Sequence, residues 1–304
     1  MRLEDISLLI EVARHGSFAE VARLRGMDPS TVSRAVSAIE QSLGFRVFQR
    51  TTRRVELTEA GDLFLRRLSA ITEEIDAARD EALALAHGPQ GTLRITTTVA
   101  FGDAVFVPLL PRFCAAFPGI GLDLVLSDTN LNLVADRIDL AIRLGPEVVG
   151  DVVATRLHKT RYRVCASPAY LASVDAIASP ADIAHLDCLR FALTGFRDAW
   201  HFRDRDGRIE SINVAGPITA SGALALRALA IAGVGPALLG NWLIDDDLAK
   251  GTLVDLFPEH QVTATTFDTA VWAVYPSRSF LPQKVRVMID FLRDEARTCW
   301  SRWR

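Results

Sequence analysis

Residues 28–44 read Asp28-Pro29-Ser30-Thr31-Val32-Ser33-Arg34-Ala35-Val36-Ser37-Ala38-Ile39-Glu40-Gln41-Ser42-Leu43-Gly44, and this stretch decides the N-terminal fold. Asp28 offers a side-chain oxygen to cap a helix, and Pro29 stands at the first helical position, where a missing N–H goes unused. Gly44 ends the helix at the position that tolerates left-handed φ. Val32, Val36, Ile39 and Leu43 recur at three- and four-residue steps and form one buried stripe. The opposite side carries Ser30, Thr31, Ser33, Arg34 and Ser37. These short hydroxyls and one guanidinium let a helix N-terminus come close to base edges.

The neighbouring segments extend the same unit. Gly16 can end a first helix, and Ser17 with Glu20 forms an S-x-x-E capping box that starts a second. After the third helix comes a basic hairpin, Arg50-Thr51-Thr52-Arg53-Arg54, framed by Val47-Phe48 and Val55–Leu57 and suited to phosphate contacts. The reading is a DNA-binding winged helix-turn-helix over residues 1–58. Pro29, Ser30, Thr31, Ser33 and Arg34 face the duplex from the helix, and Arg50, Thr51, Arg53 and Arg54 face it from the wing.

The whole chain, 304 residues with a net charge of −3, is not basic overall. Residues 1–58, however, hold nine arginines against seven carboxylates, and local patches set the footprint on DNA. Apolar residues at 49% and charged residues at 23% fit a globular protein and exclude a disordered one. Cys114, Cys165, Cys188 and Cys299 show no C-x-x-C spacing, so reduced thiols are expected, with a redox pair as the alternative. No N-terminal export signal and no bilayer-length apolar run is apparent, which makes a cytoplasmic location and no membrane partner the expectation.

From Thr58 the pattern becomes one long helix. Phe64, Leu68, Ile71, Ile75, Ala78, Ala82 and Leu85 alternate steps of four and three, the seam of a coiled coil between two chains. An amphipathic helix packed on its own domain is the competing reading. His87-Gly88-Pro89-Gln90-Gly91 then breaks the helix as a hinge, closing a linker over 59–89.

Beyond the hinge, strands are expected at Leu93–Thr98, Leu122–Leu126, Leu140–Leu144, Val152–Leu157, Tyr162–Ala166 and Val271–Tyr275. Helices are expected over Asp103–Phe117, interrupted by Pro108 and Pro111, around Leu131–Ala135, over Ala223–Ala232 and from Pro282. Such alternation means an α/β sheet with parallel crossovers, in two subdomains with a cleft between them.

Set together, these residues resemble the LysR-type transcriptional regulators, and the resemblance spans the chain. It rests on Phe18-Ala19-Glu20-Val21-Ala22, Pro29–Arg34, Ile39–Gly44, Phe48–Arg53 and Leu57-Thr58-Glu59-Ala60-Gly61. Weaker matches are Asp139-Leu140-Ala141-Ile142-Arg143-Leu144-Gly145, Ala166–Leu171 and Ala232-Gly233-Val234-Gly235. The resemblance implies a fold that is α/β overall: a winged helix-turn-helix, a dimerising linker helix and a two-lobed effector domain like that of periplasmic solute-binding proteins. The effector domain would run over 90–304, with lobe 1 from 90–161 and 268–304 and lobe 2 from 162–267. Promoter DNA, a small-molecule effector, a homodimer or homotetramer, and RNA polymerase are the partners it brings into view. Asp28, Thr98 and Ser221-Gly222 depart from residues common in relatives, so inherited contacts there need separate support.

Thr96-Thr97-Thr98 lies between a strand and a helix, where hydroxyls and free N–H groups converge on a ligand, although a threonine run also simply favours strands. Ser127-Asp128-Thr129 follows a strand at the end where open α/β sheets bind ligands. Arg143 could pair an acid or be held by a neighbouring carboxylate. A small polar or anionic metabolite is therefore expected near Thr97, Thr98, Phe101, Asp128, Thr129, Arg143, Thr194, Ser221 and Gly222, with Phe101 as an apolar wall. Asp128 would repel an anion if it pointed inward.

Nothing points to an enzyme, a metal or a cofactor. The six histidines are scattered, and no H-E-x-x-H, G-x-S-x-G or Walker loop occurs. Gly233-Val234-Gly235 is too short for a dinucleotide fingerprint, Asp245-Asp246-Asp247 reads as a solvated helix face, and the tail Cys299–Arg304 reads as a frayed end. A solute-binding module without DNA function would want an export signal or no N-terminal domain. A chromosome-coating protein would want a more basic chain. A ligand-controlled regulator fits best.

Overall fold

The structure is a computed structural model that describes residues 3–50, 55–146, 150, 152–193, 195–276, 281–298 and 300; for 3, 50, 69, 70, 73, 76, 77, 80, 81 and 83–87 it describes the backbone alone. The chain divides into two compact units, one built on residues up to Ala82 and one from Leu83 onward.

The first unit contains α1 (Leu3–His15), α2 (Phe18–Arg25), α3 (Pro29–Leu43), β1 (Phe48–Arg50), β2 (Val55–Leu57) and most of α4 (Glu59–His87). Ser17 caps α2 by accepting the Glu20 N–H at 3.3 Å. Only half of the expected capping box forms, because the Glu20 carboxylate pairs with Arg23 at 2.5 Å. Asp28 caps α3, and Gly44 closes it at φ 78° with its N–H on Glu40 O. Leu9, Val12, Val21, Val32 and Val36 are fully buried and share a core with Val47 and Phe48. Gly61 is required by close approach: a Cβ there would stand 2.0 Å from Val47 O.

The seam of α4 splits in two. Phe64 packs edge-on against Phe45 at 5.3 Å, and Leu68 is buried in the domain core, so both are satisfied within one chain. Ile71 and Ile75 remain 51% and 47% exposed, and Ala78 and Ala82 are exposed as well. The Leu85 side chain lies outside the described residues.

The second unit begins with β3 (Gly91–Thr97) and a continuous helical run: α5 (Val99–Phe101), a π-turn over Gly102–Phe106 and α6 (Val107–Ala116). The π-turn hands the Val107 N–H to Gly102 O, just ahead of Pro108 and Pro111, which have no N–H to give. Val99–Ala116 is long and apolar enough to cross a membrane by composition, contrary to expectation. Phe101, Val105, Phe106, Leu110 and Phe113 are nevertheless buried inside the unit. Then follow β4 (Ile120–Leu126), β5 (Leu140–Gly145), β6 (Val152–Lys159), β7 (Tyr162–Ala166), α7 (Pro168–Leu171), β8 (Arg190–Phe191), β9 (Ala199–Arg203), β10 (Ile209–Asn213) and β11 (Thr219–Ala220). The chain continues through α8 (Ala223–Ile231), β12 (Ala237–Gly240), α9 (Asn241–Lys250), β13 (Val254–Asp255), β14 (Gln261–Thr263), β15 (Ala270–Pro276) and α10 (Gln283–Thr298).

Two sheets result. One has the order β4-β3-β5-β15-β6, with β3 parallel to β4 and β5 and with β15 antiparallel to β5 and β6. The other, β10-β9-β14-β7-β12 with β13 also on β7, is antiparallel at every pairing. Among the named strands, parallel pairing is thus confined to part of the first sheet and to the short β8-β11 pair. The segment expected as a helix near Leu131–Ala135 is turns, with Asn132 Oδ1 accepting the Val134 and Ala135 N–H groups. Chain crosses between the sheets twice, at Thr160–Arg161 and again between Thr263 and Ala270. Thr160 and Thr269 tie these crossings together through Thr160 N to Thr269 O at 2.9 Å and a hydroxyl pair at 2.9 Å.

Candidate functional sites

On α3 the outward residues Pro29, Ser30, Arg34 and Ser37 are exposed, with Thr31 and Ser33 half-buried beside them. Arg34 lies back along its own helix, donating from Nε to Ser30 O and from its terminal nitrogen to Ser30 Oγ, both at 3.2 Å. These are solvent-exposed bonds, readily exchanged for a base edge. Asp28 Oδ1 accepts the Ser30 N–H at 2.8 Å. Hydrogen bonds from Ser30, through its side chain and then its backbone, hold the Asp28 carboxyl below its usual range, with help from Arg34. The capping explanation of Asp28 therefore stands, and Arg34 partly offsets its charge.

The wing is anchored by a residue whose role the sequence did not reveal. Glu40 Oε1, on α3, accepts the N–H groups of both Val47 and Phe48, at 2.8 and 2.9 Å. This fixes the root of β1 to the helix. Thr51, Arg53 and Arg54 lie outside the described residues, and so does the Arg50 side chain; the hairpin around them pairs Phe48 with Leu57 and Arg50 with Val55.

At the C-terminal ends of β3, β4 and β5 the structure gathers several of the expected ligand residues. Thr98 caps α5 by accepting the Phe101 N–H at 3.4 Å. Asp128 turns inward, with Oδ1 accepting the Val99 N–H at 3.1 Å. A Cβ on Gly222 would lie 3.8 Å from Asp128 Oδ2, so the carboxylate stands between the entries to α5 and α8. Thr129 is exposed and shares a 2.8 Å hydroxyl contact with Ser127. Ser221 is exposed, and Gly222 caps α8 with no side-chain bond. Thr194 lies outside the described residues.

Several polar groups among the described residues of this unit are left unsatisfied, and three of them bear on the strand ends. The Thr97 hydroxyl is buried without a hydrogen-bond partner, and so is the Trp242 indole N–H. Arg143, half-buried near the end of β5, has no hydrogen-bond or ion-pair partner among the described residues, and burial lowers its pKa. An orphaned buried hydroxyl costs about 1–3 kcal/mol, and an unpaired buried cation costs more, unless a ligand or water completes them. Thr96, by contrast, is satisfied within the sheet, donating to Val125 O at 2.8 Å.

Phe101 does not form the expected open wall. It is fully buried, edge-on to Trp242 of α9 at 5.2 Å and to Trp300 at 5.8 Å. Aromatic packing across the two lobes occupies the face assigned to a ligand.

Residues 86–297 match the profile of the LysR substrate binding domain, and residues 3–62 match that of the bacterial regulatory helix-turn-helix proteins of the lysR family. The chain belongs to the LysR family of transcriptional regulators. It is 35% identical to the HTH-type transcriptional regulator CrgA of Neisseria meningitidis serogroup C (strain 8013), over 96% of each chain. It is 33% identical to the HTH-type transcriptional regulator DmlR of Escherichia coli (strain K12), over 96% of this chain and 93% of that one. The solved structure of CrgA, a LysR-type regulator from Neisseria meningitidis, superposes with a TM-score of 0.61 at 33% identity and covers 97% of this chain and 99% of that one. Like its relatives, this LysR-type protein is a regulator and not an enzyme, with a DNA-binding domain followed by an effector-binding domain.

Within this LysR-type chain several sequence readings need correction. Asp247 is not solvated: it is buried and takes a bidentate ion pair from Arg227, at 2.5 and 2.8 Å. The pair joins α8 to α9, and its hydrogen bonds raise the Arg227 pKa. Trp300 is no frayed tail but a buried core residue on Phe101 and His158; Cys299 and 301–304 lie outside the described residues. Cys165 and Cys188 are buried, and burial pushes both thiols up, Cys188 to about 12, which makes them inert. The motive for Trp242 and Trp300 was absent from the sequence, because neither belongs to a periodic or motif pattern.

Proposed function

We propose that this regulator reads an interrupted palindrome with paired winged helices, in the cytoplasm, and changes its DNA-bound arrangement when a small organic acid occupies the strand ends of its effector domain. Ser30, Thr31, Ser33 and Arg34 meet base edges in the major groove beside Pro29, while Arg50, Thr51, Arg53 and Arg54 hold phosphates. Ile71, Ile75, Ala78, Ala82 and Leu85 form the contact between two linker helices; exposed apolar residues at seam spacing support this. Homotetramers and contact with RNA polymerase extend the reading.

The observation that carries the effector reading is the unpaired, half-buried guanidinium of Arg143. It suits one carboxylate, and Thr97 offers a hydroxyl whose bond is unmade. Asp128 narrows the class further. Its carboxylate already takes the Val99 N–H, so a ligand touching it must bring a donor. A hydroxy or amino acid meets both conditions, a simple anion only one. Such a ligand acts by preferring one lobe arrangement; equal affinity for both would shift nothing.

Mapping the genomic fragments that the purified protein retains tests the reading, since genes beside those fragments suggest candidate acids for calorimetry. An acid that binds wild type and Arg143→Gln equally well contradicts the assignment.

A further inference from the structure

A cavity of about 200 Å³ lies where the chain crosses between the two larger sheets of the effector domain, and its lining shares no residue with the strand-end group. Its lining comes from both crossings, Lys159 and Arg161 from one and Thr266 from the other, and from His260 and Gln261 at the start of β14. The charges around it do not cancel. Arg163 is neutralised by Asp255 at 3.1 Å, and Glu259 is taken up by Arg205. Lys159 and Arg161 have no hydrogen-bond or ion-pair partner among the described residues, and Lys159 meets only the more distant field of Asp268, which is itself bonded to Arg156.

Polar groups at the wall are also left free. Gln261 Oε1 is occupied by Arg203, which leaves its amide nitrogen to donate. His260 Nδ1 is buried and has no partner. A cavity with two uncompensated cations, a free amide N–H and an orphaned imidazole nitrogen is built for a doubly charged oxyanion.

We infer that this crossover cavity is a second ligand site, which binds a phosphate group, inorganic or carried by a small ester. Phosphate suits it because its oxygens accept from several directions at once, whereas the donors here come from two separate stretches of chain. The Thr160–Thr269 stitch lies in the same wall, so an occupant touches both connections between the lobes. Through that position it can couple to the strand-end site by favouring one lobe arrangement.

Calorimetry of the full-length protein tests this with inorganic phosphate, glycerol phosphate and succinate as probes, at matched ionic strength. Saturable phosphate binding is expected in wild type and in Arg143→Gln. At least tenfold weaker binding is expected in Arg161→Gln and in Lys159→Gln. Both altered side chains are exposed and unpaired, so each variant should melt like wild type; if one does not, the other decides. Tighter binding of either phosphate species supports the site and identifies its source. Absence of saturable binding by wild type, unchanged affinity in both crossover variants, loss only in Arg143→Gln, or tighter binding of succinate overturns the inference.

Discussion

The Asp128 carboxylate accepts the backbone N–H of Val99 at 3.1 Å, placing a resident anion at the mouth of the effector domain's helical run. A ligand carboxylate entering beside it meets repulsion, partly screened because Asp128 is exposed. Asp128→Asn keeps an oxygen for Val99 and removes the charge. Affinity for a simple organic acid that brings no donor should rise about tenfold, the equivalent of about 1.4 kcal/mol. Calorimetry with an acid drawn from a thermal-shift screen reads this directly. A hydroxy or amino acid that donates to Asp128 should instead bind Asp128→Asn more weakly; an equal gain for simple and donor-bearing acids would contradict the assigned ligand class.

Arg143 should behave as a ligand residue and not as part of the fold. With no partner to lose, Arg143→Met is expected to leave the unliganded protein as stable as wild type or to raise its stability by about 1 kcal/mol, the low end for a group still partly solvated. The same change should abolish stabilisation by any acid effector. A large drop in Tm without ligand would show that the guanidinium is structural.

The split seam of α4 separates two outcomes that one helix would otherwise confuse. Ile71→Glu with Ile75→Glu should give monomers with an intact DNA-binding domain, because both side chains are about half exposed. Leu68→Ala should destabilise the domain itself by about 2–5 kcal/mol, since Leu68 lies in its core. Sedimentation and helix-amide hydrogen exchange together distinguish them. An Ile71/Ile75 double variant that sediments as the native oligomer rules out pairing through this face.

Glu11 and Arg25 join α1 to α2 at 2.7 Å, each with roughly a quarter of its side chain exposed. The Arg25 hydrogen bond is the largest cause holding the Glu11 carboxyl below its ordinary value of 4.5. A depressed carboxyl contributes stability above the unfolded value, and that contribution is lost as pH falls through the folded one. Below about pH 4.5 the α1–α2 contact should therefore weaken. Glu11→Gln should cost under about 1 kcal/mol at neutral pH and remove this part of the acid sensitivity, read by hydrogen exchange on α1 and α2 amides. Equal acid sensitivity in the variant would exclude the pair as its source.

Local chemistry explains what the sequence made legible. Asp28-Pro29 and Gly44 bound α3 through cap preferences that act within a few residues, and Val32, Val36 and Ile39 reported its buried face by spacing alone. The strands β5 and β15 showed themselves as compact, largely apolar runs, and β3 by its β-branched residues around Leu93 and Ile95. Long-range relationships were hidden. No local signal tells that Glu40 reaches Val47 and Phe48, that Asp247 is drawn inward by Arg227, or that Phe101 is covered by Trp242 and Trp300. The antiparallel second sheet was missed for the same reason: β9, β10, β12 and β14 are short, and their pairing depends on segments far apart in the chain.

The central claim is that α3 reads sequence while the wing supplies sequence-independent affinity. It is tested most directly by measuring Arg34→Ala and Arg53→Ala against a retained genomic fragment and a scrambled duplex over a range of salt. Arg34 is exposed and held only by its own helix turn, so its replacement should leave the fold intact. Arg34→Ala is expected to lose about 1–3 kcal/mol on the specific fragment and little on the scrambled one. Arg53→Ala is expected to weaken both and to reduce the salt slope by roughly one unit. Equal loss on both duplexes for Arg34→Ala would contradict base reading by α3.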